Sequence, residues 1–152
     1  PFKRSSQNVW KRRTWTIVPD SKWFYNTNKT LDFDKKINLE EKFSLFNDHW
    51  GPKVLGEMNG QHVKIAKVKG EFVWHDHANE EELFLIVKGT LKLVFEKETV
   101  MLNEGEILII PRGVPHKPIA DEEVWLLLFE PTTTKHTGDL QTPLTQTQQQ
   151  NI

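Results

Sequence analysis

Residues 70–89 read GEFVWHDHANEEELFLIVKG, and residues 105–116 read GEILIIPRGVPH. In the first stretch His75 and His77 stand two apart in a segment with strand character, and side chains two apart on a strand point to the same face. Both imidazoles can therefore reach one point. Glu82 opens the next apolar run after a short turn at Ala78, Asn79 and Glu80. His116 follows Pro111, Gly113 and Pro115 at the end of another run. Three imidazoles and a carboxylate suit Fe, Mn, Ni, Zn or Co with one or two positions left open, as a catalytic metal requires. Each element alone is a weak signal, since an H-x-H pair is more often two satisfied or exposed histidines. Of the three adjacent carboxylates, Glu80 and Glu81 read as a solvated turn, while Glu82 leads Phe84 and Ile86 on its own face.

Outward from this stretch, the chain from Val54 onward consists of short apolar runs punctuated by Gly and Pro, the pattern of antiparallel strands. Strands are expected near 54–58, 61–69, 71–76, 81–88, 90–95, 97–102, 106–110 and 123–130. Closely spaced strands with no helix between them predict an all-β sandwich or barrel. Upstream, Asn38 followed by Glu41 has the form of a capping box, and Leu39, Phe43 and Phe46 share a helical face, so one short helix is expected at 39–46. In the last strand Trp125, Leu127 and Phe129 alternate with Val124, Leu126 and Leu128, apolar on both faces and therefore buried on both.

The 152 residues leave room for one domain with modest extensions. There is no Cys, which excludes a disulfide framework, a zinc ribbon and a thiolate nucleophile. Lys+Arg 20 against Asp+Glu 21 gives a net charge of -1, without the field that steers proteins onto nucleic acid or anionic lipid. A small-molecule substrate or ligand is the expected partner, with no nucleic acid and no membrane. No stretch has the length of a signal peptide core or a membrane helix, so a cytoplasmic protein is expected. Residues 1–37 form a basic, aromatic extension carrying Arg12, Arg13, Trp15 and Trp23. Residues 38–131 form the barrel domain, and the Thr- and Gln-rich residues 132–152 read as a flexible tail.

The spacing of the chemical residues is more specific than any one of them. Gly70, His75, His77, Glu82 and Gly89 fit G-x4-H-x-H-x4-E-x6-G, one residue short in the first gap, and Gly105, Pro111, Gly113 and His116 fit G-x5-P-x-G-x2-H. In these two blocks, separated by residues 90–104, the chain resembles the cupin superfamily, specifically its small mannose-6-phosphate isomerase-like members. The resemblance covers about residues 54–130. It implies a double-stranded β-helix, the jelly-roll barrel of cupins, and it makes His75, His77, Glu82 and His116 similar to the cupin ligands of one divalent metal ion, Fe, Mn, Zn or Ni. Ala120 departs from the pattern where many cupins carry Asn, a residue that is not a ligand.

His49, His62 and His136 lie outside both blocks: His49 reads as a surface or packing residue and His136 as part of the tail. On the strand at 61–69 either face could be the lumen. If His62, Lys64, Ala66 and Val68 face inward, Lys64 could bind an anionic substrate group; otherwise it is an exposed lysine. One fold hosts many chemistries; the resemblance puts a metal-dependent sugar or sugar phosphate isomerase first, with an Fe(II)-dependent dioxygenase and a non-catalytic ligand-binding or regulatory module as alternatives. The isomerase needs a phosphate clamp, for which Lys64, Lys88 and Lys117 are available. A homodimer is expected, with the aromatic N-terminal arm offering apolar contact surface.

Overall fold

The structure, a computed structural model, describes residues 24–25, 29–30, 36–138, 140, 143 and 149–152. The chain divides into two units, Pro1–Lys36 and Ile37–Ile152. In the first, strands β1 (Phe24–Tyr25) and β2 (Lys29–Thr30) pair antiparallel. Apart from Lys36 and Ile37, the rest of the basic, aromatic extension lies outside the described residues.

The second unit begins with helix α1 (Leu39–Phe43). Asn38 caps it, its side chain accepting from Glu41 N at 3.2 Å, which satisfies one of the amide groups a helix start leaves unpaired. The helix is shorter than the expected 39–46, because at Ser44 the amide turns to three successive carbonyls and closes the last turn. Phe46 is nevertheless buried, held beyond the helix with Phe43 and Ile65 in a small core on the outer side of the sheet. The Phe43 ring stacks on Trp125 at 4.6 Å.

Strands β3 (Lys53–Met58), β4 (Gln61–Glu71), β5 (Glu82–Lys88), β6 (Thr90–Phe95), β7 (Thr99–Asn103), β8 (Ile107–Ile110), β9 (His116–Pro131) and β10 (Gln150–Asn151) make one sheet. The order is β10-β3-β4-β9-β5-β8, and β6 pairs with both β7 and β9. The spine is β9, whose beginning pairs with β6 and whose later part lies between β4 and β5. A strand shared among three partners folds the sheet over on itself. The result is the expected all-β jelly roll, with a sheet that does not close. No described helix is long and apolar enough to cross a membrane.

The inward faces follow the period of two. Glu82, Phe84 and Ile86 of β5 point inward, as do Val124, Leu126, Leu128 and Glu130 of β9, together with Leu91 and Leu93 of β6. On β4 the inward set is Lys64, Ala66 and Val68, while Ile65 joins the outer core under α1, so this strand is buried on both faces. Each fully buried Leu, Ile or Phe contributes about 1.5–3 kcal/mol.

Two expectations are corrected. The segment 71–76 is not a separate strand: β4 continues to Glu71 past a register shift at Gly70, and only His75 pairs beyond it. Residues 116–122, read as a connection, are the first part of β9. Pro118 is tolerated there because it still accepts through its carbonyl, from Phe72 N at 2.9 Å. In the segment 132–152, expected as a flexible tail, Thr132, Thr133, Lys135 and Leu140 are exposed, while other described positions are held. Thr134 and Thr137 are buried, Gln150 and Asn151 pair parallel with β3, and Ile152 packs against the outer core.

Candidate metal centre

The two sequence blocks are stitched together by backbone hydrogen bonds. His75 and His116 face each other in an antiparallel bridge, His75 N donating to His116 O at 3.1 Å and His116 N to His75 O at 2.9 Å. Directly paired residues project their side chains from the same face, and the two rings lie 4.3 Å apart, centroid to centroid. Gly113 N donates to His77 O at 2.7 Å, tying the Pro-rich turn to the second histidine. Glu82 enters as the first inward residue of β5.

All four side chains are buried. His75, His77 and Glu82 offer ligand atoms within 4.8 Å of one another, and His116 joins them, its Nε2 3.6 Å from Glu82 Oε2, against 3.4 Å for His77 Nε2. His75 Nδ1 lies 3.1 Å from the Val73 carbonyl and His116 Nδ1 3.0 Å from that of Val114. Donation to a carbonyl sets the neutral tautomer in which Nε2 carries the lone pair. His77 Nε2, Glu82 Oε2 and His116 Nε2 are buried without any hydrogen-bond partner. Each such orphan costs about 1–3 kcal/mol, and three of them converging on one point fit the donor set of a divalent cation.

Electrostatics are consistent with this arrangement. Burial, helped by the neighbouring His116, lowers the His75 pKa to about 4, so its ring is neutral and available as a donor. Burial would raise the Glu82 carboxyl, but the His116 and His77 rings facing it outweigh that effect and hold Glu82 well below the usual carboxylate range. Burial likewise opposes charge on His77, and the Glu82 carboxylate overcomes it, leaving that ring above its ordinary value.

Lys64 is neither exposed nor free to clamp an anion: it is fully buried and pairs with Glu130. Burial and the charge of Glu82 push Glu130 up to about 7 against the pull of Lys64. Glu130 escaped the sequence reading, although the inward parity of Val124, Leu126 and Leu128 extends to it. The other two candidate clamps also face elsewhere. Lys88 is exposed and lies over the Trp125 ring at 4.7 Å, and Lys117 pairs with Glu71.

Glu81 is exposed, 3.9 Å from Arg112, and Glu80 accepts from Thr133 Oγ1 at 3.2 Å, so neither competes with Glu82. His49 sits outside the site, 3.0 Å from Glu123. His62 lies on β4 opposite Glu130. His136, placed in the tail by the sequence reading, instead lines a cavity together with His75 and Glu82. No local pattern in its polar surroundings pointed there.

Residues 61–137 match the Cupin domain family. A cupin-2 domain containing protein from Shewanella frigidimarina NCIMB 400 is 49% identical over 64% of this chain and 96% of its own, with a TM-score of 0.64. Protein NMB1881 from Neisseria meningitidis, 24% identical, shares the fold with a TM-score of 0.59 over 64% of this chain and 99% of its own. Among curated proteins, uncharacterized protein YdbB of Bacillus subtilis is 38% identical over 41% of this chain and 57% of its own length. A 3-hydroxyanthranilate 3,4-dioxygenase 2 of Aspergillus fumigatus is 31% identical over 49% of this chain and 42% of its own length. The chain thus spans about half the length of the curated relatives it matches. With both motif blocks inside the matched segment, the chain belongs to the cupin family.

Proposed function

We propose that His75, His77, Glu82 and His116 hold one divalent first-row metal ion and that the protein is a metal-dependent enzyme acting on a small, largely apolar molecule, with iron-dependent oxygen chemistry as the leading reaction class. The observation that carries the reading is the convergence of three buried, unpartnered donor atoms, His77 Nε2, Glu82 Oε2 and His116 Nε2. A three-histidine, one-carboxylate set leaves coordination positions where such a metal can bind both substrate and O₂. The chain supplies the rest. The Val73 and Val114 carbonyls orient two of the imidazoles, and Phe72, Phe84, Leu126 and Leu128 keep the surroundings dry. A dry site strengthens the interaction of charged groups with a reacting molecule.

A groove of about 430 Å³, lined by Phe95, Val100, Leu108, Ile110, Val114 and by Pro115, the residue before His116, is large enough for a small molecule. The Phe95 ring centroid lies 6.3 Å from that imidazole. Partial similarity to a dioxygenase supports the same direction. The sugar isomerase reading has less support, because Lys64, Lys88 and Lys117 are all engaged away from the centre.

Oxygen uptake by the iron-loaded protein with a panel of diketones, flavonols, catechols and aminophenols tests the reaction class. Substrate-dependent uptake, lost in His116→Ala, is expected. No uptake with any of them, alongside proton exchange at the α-carbon of an aldose, would move the assignment to isomerisation. We also propose a homodimer. Ile107 and Ile109 are more than half exposed on β8, an edge strand, and offer a second copy an apolar contact.

A further inference from the structure

Downstream of β9 the chain turns back over the sheet instead of leaving it. Thr132 N donates to Gly60 O at 3.1 Å, and Thr133 Oγ1 donates to Glu80 at 3.2 Å. Thr134 and Thr137 are buried. At Gly138, φ is +59°, and a Cβ there would lie 2.2 Å from the carbonyl oxygen of Asp76. Asp76 is the residue between His75 and His77. Residues 132–138 are therefore a strap laid directly on the backbone that presents two of the proposed ligands.

The strap carries His136 inward. Its ring lies 5.1 Å from Phe72, which in turn meets the His75 ring edge-on at 5.1 Å. It also hydrogen-bonds to the Trp50 backbone, while its Nε2 is buried with no partner. His136, His75, Glu82, Phe72 and Trp50 border one cavity of about 30 Å³. Such a space takes a water or a single polar group of a larger molecule, not the whole molecule. Burial lowers the His136 pKa, so the ring is neutral. In a neutral imidazole that donates to the backbone through one nitrogen, the other is an acceptor.

We propose that His136 is a positioning residue of the centre, its Nε2 accepting a hydrogen bond from a hydroxyl or amino group of the small molecule bound beside His75 and Glu82. The inference rests on the reading that the centre holds a metal. It narrows the ligand class to molecules that place an O–H or N–H donor close to the metal-binding groups. His136 acts on the orientation of that donor and is not a metal ligand.

The test uses the full chain loaded with Co(II), whose visible absorption reports ligand binding. It is titrated with hydroxylamine, which carries donors, and with azide, which carries none. Losing one hydrogen bond weakens hydroxylamine binding about tenfold in His136→Ala. Azide affinity is expected to stay within twofold, and His136→Gln, which keeps an acceptor oxygen, to recover most of the loss. Equal weakening of both probes would reduce His136 to a structural role and overturn the inference, as would unchanged binding of both. Wild-type protein that takes up no cobalt would overturn the metal reading itself, and the inference with it.

Discussion

At the scale of single residues, the least expected feature is the buried Lys64–Glu130 pair beside the proposed centre. Removing one member of a buried pair leaves an uncompensated charge, whereas replacing both with apolar groups is often neutral. Lys64→Met is expected to lose about 3–5 kcal/mol in urea unfolding of the metal-free protein at pH 8. Combining it with Glu130→Leu should recover at least half of that loss. A double variant no more stable than the single would show that the site needs the ion pair itself. His75 makes a separate prediction. Its folded pKa is about 4, against an ordinary 6.5. Between those values the unfolded chain binds a proton that the folded chain refuses, so this contribution is full above pH 6.5 and is lost as pH falls towards 4. The metal-free wild type should therefore lose up to about 3 kcal/mol more than His75→Gln between pH 7 and pH 4. Parallel pH profiles for the two would contradict the assignment.

The elements differ in how plainly the sequence announces them. Strand β5 and the turn before β9 were legible because a period of two and fixed Gly and Pro positions are local signals; bringing His75, His77, Glu82 and His116 to one point came from the resemblance to cupins. The Lys64–Glu130 pair was not legible, since its members are brought together only by the register of β4 on β9, 66 positions apart in the chain. The first part of β9 was hidden by Pro118 and the acidic residues Asp121 and Glu122, ahead of the strand expected from 123, until Leu93 and Phe72 are seen to pair around the proline. His136 was hidden for a different reason: a polar, Thr-rich segment carries no periodicity, and what holds the strap down is a close backbone approach at Gly138. Gly138→Ala should accordingly cost more than Gly60→Ala. Both have positive φ, but a Cβ at Gly60 meets open space. The backbone strain common to both is about 1–2 kcal/mol, so thermal unfolding should show a larger drop for Gly138→Ala. Equal drops would mean that the strap is not clamped on Asp76.

Within the second unit, β9 runs through the apolar interior and supplies both His116 to the proposed centre and Glu130 to the buried ion pair. The exposed Ile107 and Ile109 give an assembly prediction: light scattering should report a dimer, and Ile107→Lys with Ile109→Lys should yield a monomer that remains folded. A wild-type monomer would refute it. The central claim, that His75, His77, Glu82 and His116 form a working metal centre, is tested most directly by elemental analysis of protein purified without added metal and again after reconstitution, beside His75→Ala/His77→Ala. The account predicts about one equivalent of a first-row divalent metal per chain in the wild type and almost none in the double variant. A wild type that stays empty after reconstitution, or a double variant that retains the same metal, would contradict it.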